Sequence, residues 1–283
     1  MGRVRVVVDS TADMDPQEAA ELGIEVVPHT VYWDGIAFLD RVELSVDEFY
    51  RKLREEKGTP RTSQPSVGQF QSVYTRLLRE VEGIVSLHVS SALSGTINTA
   101  RLAAESVDPE RIVVLDSQTL SGALGCLATR VARLGQKGAD LSECVALAGE
   151  LIPRLRLFIA MDTLEYLRRG GRAGLAQTLA AQLLSIKPII QLLDGVFSPL
   201  DRVRTRSAAV RRLARAVEEL GLVEEVSVLY GDNRQPAEEL YRLIREQNPF
   251  VDILWGRTGP ACGTHGGPGL FGVSVLLASN TTR

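Results

Sequence analysis

Four hydroxyl side chains surround one glycine in the segment HVSSALSGTINTA, residues 88–100: Ser90, Ser91, Ser94 and Thr96. An apolar run rich in β-branched residues precedes the hydroxyls and a stretch with helical periodicity follows them, which predicts a strand, a loop and a helix. One or two hydroxyls suffice to cap a helix. The additional hydroxyls therefore indicate a site where neutral donors orient a small anion or a carboxyl group.

Two further hydroxyl-rich segments, DSTAD at 9–13 and TSQPS at 62–66, have similar positions at strand ends or in loops. An open parallel sheet binds its ligands beyond the carboxyl ends of its strands, near helix N-termini. We therefore expect the three segments to form one polar rim. Each segment alone is equally typical of an ordinary helix cap, and Ser66 is interpreted as a cap only.

A histidine and an arginine add chemistry that hydroxyls lack. His265 lies in GPACGTHGGPGLFG, residues 259–272, where the glycines predict a loop whose backbone can approach a ligand closely. Arg172 follows the glycine pair of YLRRGGRAG, where it either reaches the anion site or belongs to a glycine-terminated helix end. His29 and His88 fall within strand patterns and are interpreted as structural.

The same residues allow two hydrolase arrangements. A serine hydrolase would use Ser94 or Ser91 with His265 and an acid such as Asp9 or Asp116, although SALSG lacks the G-x-S-x-G elbow. Cys262 beside His265 would make a cysteine hydrolase, but a glycine turn does not by itself lower a thiol pKa. A zinc site would need ligands in addition to Cys262 and His265, and none is recognisable in the sequence. The chain also contains no G-x-x-x-x-G-K-[ST] motif for binding nucleotide phosphates.

Composition limits the kind of partner. The formal net charge is -3, from 32 Lys and Arg against 35 Asp and Glu, so no global charge favours nucleic acid or an anionic membrane. No run of about 18 apolar residues is present, so we expect no integral membrane segment and a cytoplasmic protein. The three cysteines are widely spaced, and no disulfide framework is expected.

The order of elements predicts two α/β lobes. Strands alternate with helices in the first half, which favours a parallel sheet with right-handed crossovers. Capping residues predict helix starts at Asp15, Ser45, Ser66 and Asp140. Asp34-Gly35 and Asp194-Gly195 predict hairpin turns. We place the N-terminal lobe at 1–160 and the C-terminal lobe at 161–283.

Seven motifs, taken in order, resemble those of the DegV family: DSTAD, TSQPS, SSALSGT, VLDS, LEYLRRGGR, KPII and GTHGGPG. They extend over essentially the whole chain. The resemblance implies a two-lobed α/β fold of the DegV kind, with a parallel sheet in the N-terminal lobe and a mixed sheet in the C-terminal lobe. Two positions depart from the family pattern: Gly266 stands where a threonine is usual, and LDRVEL at 39–44 is less acidic.

The resemblance also implies a function without catalysis. A DegV protein binds a long-chain fatty acid such as palmitate or oleate in an interior tunnel and presents the carboxyl group to a separate ATP-dependent fatty acid kinase subunit. That system supplies acyl phosphate for phospholipid synthesis, and the binding subunit requires neither a cofactor nor a metal. A lipid-sensing regulatory protein without a kinase is the alternative within the same family.

Residue by residue, the resemblance places the fatty acid carboxyl group against Thr62 and Ser94, with His265 and Arg172 as neighbours. Apolar helix faces near 119–134 and 174–186 are candidates for the tunnel wall. A basic surface for the kinase would comprise three arginines: Arg202, Arg204 and Arg206.

Overall fold

The computed structural model describes residues 3–56, 58–172 and 186–279. Its strands are β1 (Val4–Asp9), β2 (Glu25–Val27), β3 (Thr30–Trp33), β4 (Ile36–Leu39), β5 (Arg61–Ser63), β6 (Gly83–His88), β7 (Ile112–Asp116), β8 (Leu155–Ala160), β9 (Lys187–Leu193), β10 (Val196–Val203), β11 (Val223–Tyr230), β12 (Ile253–Arg257) and β13 (Phe271–Leu277). Its α-helices are α1 (Pro16–Leu22), α2 (Val46–Glu55), α3 (Val67–Leu77), α4 (Thr96–Val107), α5 (Ser121–Gln136), α6 (Leu141–Leu151), α7 (Glu165–Arg169), α8 (Arg206–Glu219), α9 (Gln235–Gln247) and α10 (Pro260–Gly266). Short 3₁₀ turns occupy Ser10–Ala12 and Ile152–Arg154.

The N-terminal sheet has the strand order β2-β1-β6-β7, and all of its pairs are parallel. Side chains on β1 alternate between the two faces, as the twofold period of a strand requires. Val6 and Val8 pack against α5 and α6, whereas Val7 packs against α3 and α4. The predicted parallel sheet is therefore confirmed, and both of its faces are buried by helices.

The C-terminal sheet has the order β10-β9-β8-β13-β11-β12 and is mixed, because β11 and β12 pair in parallel while the other pairs are antiparallel. Helices α8 and α9 cover one face. The other face presents Leu157, Ile159, Ile190 and Leu192 toward a second apolar cluster. Since β8 already belongs to this sheet, a division of lobes by sheets falls before Leu155 rather than after residue 160.

A third, three-stranded antiparallel sheet has the order β4-β3-β5. Asp34 and Gly35 form its hairpin turn with positive φ angles of 48° and 85°, which confirms the predicted turn. In β5, Thr62 pairs with Val31 across the sheet. This sheet packs beside α2 and α10, so it brings a threonine from the middle of the N-terminal half next to the C-terminal glycine-rich segment.

Local capping chemistry sets several helix boundaries as predicted. The carboxylate of Asp15 accepts from the first turn of α1, and Ser45 accepts from Glu48 N at the start of α2. Ser66 and Asp140 each form a complete capping box. The apolar spacing of α3 continues to Val81, but the helix ends at Leu77, and Val81 packs from the following loop.

The predicted glycine-rich loop at 259–272 is wrong in part, because residues 260–266 form α10. Pro260 suits the first helical turn, and Gly263 lets the helix pack against Phe49 and Tyr50, where a Cβ atom would come within 2.6–2.8 Å of their side chains. The apolar stretch 174–186 lies outside the described residues except for its last position.

Among the described helices, none combines the length and the apolarity needed to cross a bilayer.

Candidate functional site

A cavity lies between the loops that follow the N-terminal strands and the inner face of the mixed sheet. It offers about 810 Å³ of space free of protein atoms, part of it open to solvent. One wall is apolar and comes largely from the mixed sheet; its members include Ile159, Ile190, Phe197 and Leu229. The opposite wall is polar and comes from the N-terminal loops, from Arg172 after α7 and from α10.

The four side chains selected from the sequence all line this one cavity: Thr62, Ser94, Arg172 and His265. They come from β5, from the loop before α4, from the residues after α7 and from α10. Segments as far apart as 203 positions in sequence thus meet at one polar wall.

Thr62 and His265 contact each other directly, with 2.8 Å between Thr62 Oγ1 and His265 Nε2. The imidazole packs on Gly170, where a Cβ atom would lie 2.1 Å from His265 Nδ1. Nδ1 is buried and has no hydrogen-bond partner in the described part of the chain. Burial, assisted by the positive charge of Arg172, lowers the pKa of His265 to about 4. The ring is therefore neutral near pH 7.

Ser94 is the hydroxyl of its loop that lines the cavity. Its Oγ lies 2.8 Å from Thr96 Oγ1 and accepts from Thr96 N at 3.3 Å. Ser90 instead donates to the carbonyl of Gly195 at the tip of the β9–β10 hairpin, at 2.6 Å. Ser91 is exposed. The hydroxyls of this loop therefore divide their roles between the cavity, the loop and the contact with the mixed sheet.

Arg172 connects the end of α7 to the loop before α4. Its Nε donates to the Leu93 carbonyl at 3.2 Å, and its Nη1 donates to the Gly170 carbonyl at 2.6 Å. Both contacts fix the guanidinium at the cavity. Arg172 lines the cavity, and it also follows the glycine-terminated end of α7, where its backbone N–H donates to the Leu167 carbonyl at 3.0 Å. Its contact with an anion stays a prediction.

A buried carboxylate lies behind the polar wall. Asp9 accepts from Thr11 N and Val89 N at 3.0 Å each and from His88 Nδ1 at 3.1 Å. Burial acts to raise the pKa of Asp9, but the hydrogen bond from His88 and the neighbouring histidines lower it well below its usual range. Asp9 is therefore ionised, with its charge balanced by several donors.

The two histidines of the strand patterns differ. His88 is fully buried and contacts Asp9 and Ser86, which agrees with the structural role expected for it. His29 lines the cavity, and its Nε2 lies 3.2 Å from Thr96 Oγ1. Sequence reasoning missed this position, because a single histidine after a strand is ordinary and nothing local links it to Thr96.

The hydrolase arrangements do not form among the described residues. His265 Nε2 contacts Thr62, and its Nδ1 lacks the acid that a catalytic triad requires. The Ser94 hydroxyl bonds to Thr96. Burial raises the pKa of the Cys262 thiol well above its ordinary value, which disfavours a thiolate nucleophile. In the same regions, no group of three or more potential metal ligands is assembled.

The chain is similar to known proteins over nearly its whole length. A family model described as an uncharacterised protein, DegV family, matches residues 3–278. A DegV domain-containing protein of Halalkalibacterium halodurans is 36% identical over 281 residues, which span 98% of this chain and 99% of the relative.

Two solved structures resemble the whole chain. A DegV family protein from Thermus thermophilus, described for its fatty acid binding, superposes with a TM-score of 0.91 at 31% identity and covers 98% of this chain and 100% of its own. DegV from Bacillus subtilis, described as a fatty acid binding protein, superposes with a TM-score of 0.89 at 28% identity and the same coverage.

Proposed function

The chain belongs to the DegV family, and from this premise we propose that it binds a long-chain fatty acid, with the carboxyl group at the polar wall and the acyl chain along the apolar wall. The observation that carries the proposal is the single cavity in which both walls meet. The two relatives of known structure that are described as fatty acid binding support the same ligand class.

The polar wall suits a carboxylate without offering it a dedicated counter-ion. Thr62 and Ser94 supply hydroxyl donors, and His265 beside Thr62 is neutral. Arg172 brings one positive charge, although its Nε and Nη1 already donate to carbonyls. We assign Thr62 and Ser94 to the carboxylate oxygens, and His265 and Arg172 to the support of these contacts.

The head group and the acyl chain contribute unequally to the free energy of binding. Burial of about 14 methylene groups at ~0.8 kcal/mol each makes roughly 11 kcal/mol available before association costs are subtracted. Each hydrogen bond from a hydroxyl to the charged carboxylate contributes about 1.5–3 kcal/mol. The acyl chain therefore supplies most of the affinity, and the hydroxyls supply orientation.

We further propose that the protein presents the bound carboxylate to a separate ATP-dependent fatty acid kinase. A carboxylate oxygen would attack the γ-phosphorus of ATP, which gives an acyl phosphate and ADP. Ser94 and Arg172 are only partly buried, so the head group lies near the protein surface. Arg202 and Arg204 are exposed and suit a docking role, whereas Arg206 pairs with Asp162 at 2.7 Å.

The first experiment is native mass spectrometry of the purified protein, followed by organic extraction and identification of the bound molecule. We expect one fatty acid per chain. A protein that is isolated empty and takes up neither palmitate nor oleate would contradict fatty acid binding.

The kinase step is tested with Ser94→Ala and with Ser91→Ala as its matched control, since Ser91 is exposed and outside the cavity. With ATP and a bacterial fatty acid kinase subunit, wild type and Ser91→Ala should yield acyl phosphate. Ser94→Ala should keep its lipid and yield little acyl phosphate. Normal phosphorylation of the Ser94→Ala complex would exclude the assigned role.

A further inference from the structure

We propose that His29, acting through Thr96, directs the hydroxyl hydrogen of Ser94 toward the ligand and thereby selects a carboxylate over an isosteric carboxamide. This inference rests on the proposed fatty acid binding and makes it more specific. His29 is a positioning residue in this scheme, because its ring nitrogens bond to Ser10 and Thr96.

A continuous chain of hydrogen bonds leads from Ser10 to the cavity. Ser10 Oγ lies 3.4 Å from His29 Nδ1, and His29 Nε2 lies 3.2 Å from Thr96 Oγ1. Thr96 Oγ1 in turn lies 2.8 Å from Ser94 Oγ. Ser10, His29 and Thr96 are buried, while Ser94 is partly exposed at the cavity. Every group in such a chain is both donor and acceptor, so the first donor sets the direction of all the bonds.

Ser10 sets that direction. Its oxygen accepts from the backbone N–H of His29 at 3.0 Å, and among the described residues His29 Nδ1, at 3.4 Å, is the acceptor that meets hydrogen-bond geometry for its own hydrogen. Nδ1 is then unprotonated. Burial lowers the pKa of His29, so the ring is neutral and its single proton resides on Nε2. His29 therefore donates to Thr96.

Neither neighbouring carboxyl group reverses this assignment. Asp9 Oδ1 is 3.7 Å from His29 Nδ1, beyond hydrogen-bond distance, and Asp9 already accepts from Thr11, Val89 and His88. Asp40 is near enough to Ser10 to interact with it, yet neither of its oxygens has a partner of normal geometry in the described structure. His29 Nδ1 is thus left to Ser10.

His88 provides the contrast within the same structure. Its Nδ1 lies 3.1 Å from Asp9 Oδ2, so it donates there, and its Nε2 accepts from Ser86 at 2.7 Å. The two histidines therefore carry their protons on opposite nitrogens. Only the His29 branch leads toward the cavity.

The direction of the chain determines what Ser94 offers. Ser94 Oγ accepts from Thr96 N and from the Thr96 hydroxyl, so its own hydrogen is left for the ligand. A carboxylate accepts from Ser94 with either oxygen, whereas a carboxamide can accept only with its carbonyl oxygen and must then turn its NH₂ group toward Thr62. The site thus discriminates between two head groups of almost equal shape.

The test compares the affinities of palmitate and palmitamide. Thr96→Val keeps the side-chain shape and removes the relay, and His29→Leu removes the donor. We expect each to lower the ratio of palmitate to palmitamide affinity about five- to tenfold, since Ser94 becomes free to accept. His29→Gln, whose amide nitrogen can donate to Thr96, should restore the ratio to within about twofold. Ser86→Ala, on the His88 branch, is the matched control and should leave the ratio unchanged.

An unchanged ratio in Thr96→Val and His29→Leu, with palmitate still bound, would overturn the inference and leave fatty acid binding intact. Equal loss of both ligands in these variants would also overturn it, because that pattern is the one a purely structural role produces. Wild-type protein that binds neither ligand would instead overturn the proposed function.

Discussion

The two walls of the cavity are built in opposite ways. The apolar wall comes mainly from strands of one sheet, where Ile159 and Ile190 face the same side because strand side chains alternate. The polar wall joins side chains from distant segments, and single hydrogen bonds such as that from Thr62 to His265 fix their positions. The apolar wall is therefore set by backbone pairing, whereas the polar wall depends on a few individual contacts.

The walls should therefore respond differently to substitution. Loss of space along the apolar wall should reduce affinity strongly, because many methylene groups contribute. Loss of one polar contact should alter orientation and selectivity with a small change in affinity. The predictions below test this difference.

The largest effect is expected from Leu93→Trp, which fills the cavity from its partly exposed rim. If the indole excludes about five methylene groups, binding loses roughly 4 kcal/mol, or several-hundred-fold in affinity. Calorimetric titration with palmitate measures the loss. Leu102→Trp, at an exposed position of α4, makes the same size change away from the cavity and should bind normally. Equal affinity for palmitate in both variants would show that Leu93 does not lie beside the bound ligand.

A second effect concerns acid stability and isolates one member of the polar wall. The pKa of His265 is about 4 in the folded protein, below the ordinary 6.5, so the unfolded chain binds more protons between these values. His265 therefore makes its full contribution to the free energy of unfolding above pH 6.5. This contribution is lost as the pH falls to about 4, and the loss is up to about 3 kcal/mol. Urea unfolding of wild type and of His265→Gln at pH 7 and pH 4 measures this loss of stability. The variant should lose less stability on acidification; equal losses would exclude a buried neutral His265.

Much of the fold follows from local sequence. The capping boxes at Ser66 and Asp140 and the hairpin turns at Asp34-Gly35 and Asp194-Gly195 depend on residues within a few positions, and each is present. The end of α3 was less predictable, since Val81 continues the apolar period but packs from a loop. Periodicity reports burial, and burial does not require that the helix continue.

The site was predictable only in part. Family motifs selected Thr62, Ser94, Arg172 and His265, and the structure brings all four to one cavity. The sequence could not reveal His29, because its link to Thr96 spans 67 positions. Nor did glycine content predict α10, whose small residues serve close packing rather than loop flexibility. Both failures arise from contacts between distant segments.

Gly170→Ala should have an intermediate effect that tests how the polar wall is positioned. Gly170 has φ −78°, so alanine adds no backbone strain, but its Cβ would overlap the His265 ring. We expect displacement of His265, loss of its contact with Thr62 and about tenfold weaker palmitate binding. The NMR chemical shifts of the His265 imidazole nitrogens report its displacement, and a calorimetric titration measures the affinity for palmitate. Gly149→Ala, where a Cβ meets open space, is the control. Unaltered histidine shifts in Gly170→Ala would contradict the packing role.

The smallest change in affinity is expected for Ser94→Ala, although this residue lies at the centre of the proposed head-group site. Thr96 keeps its contact with His29 but loses Ser94 Oγ as an acceptor. The ligand loses one hydroxyl donor at a partly exposed position where water can partly replace it, at a net cost of about 1 kcal/mol. Palmitate should therefore bind about fivefold more weakly. Calorimetric titration beside Ser91→Ala measures this difference. A loss as large as that of Leu93→Trp would mean that the polar wall supplies affinity as well as orientation, and the contrast between the two walls would fail.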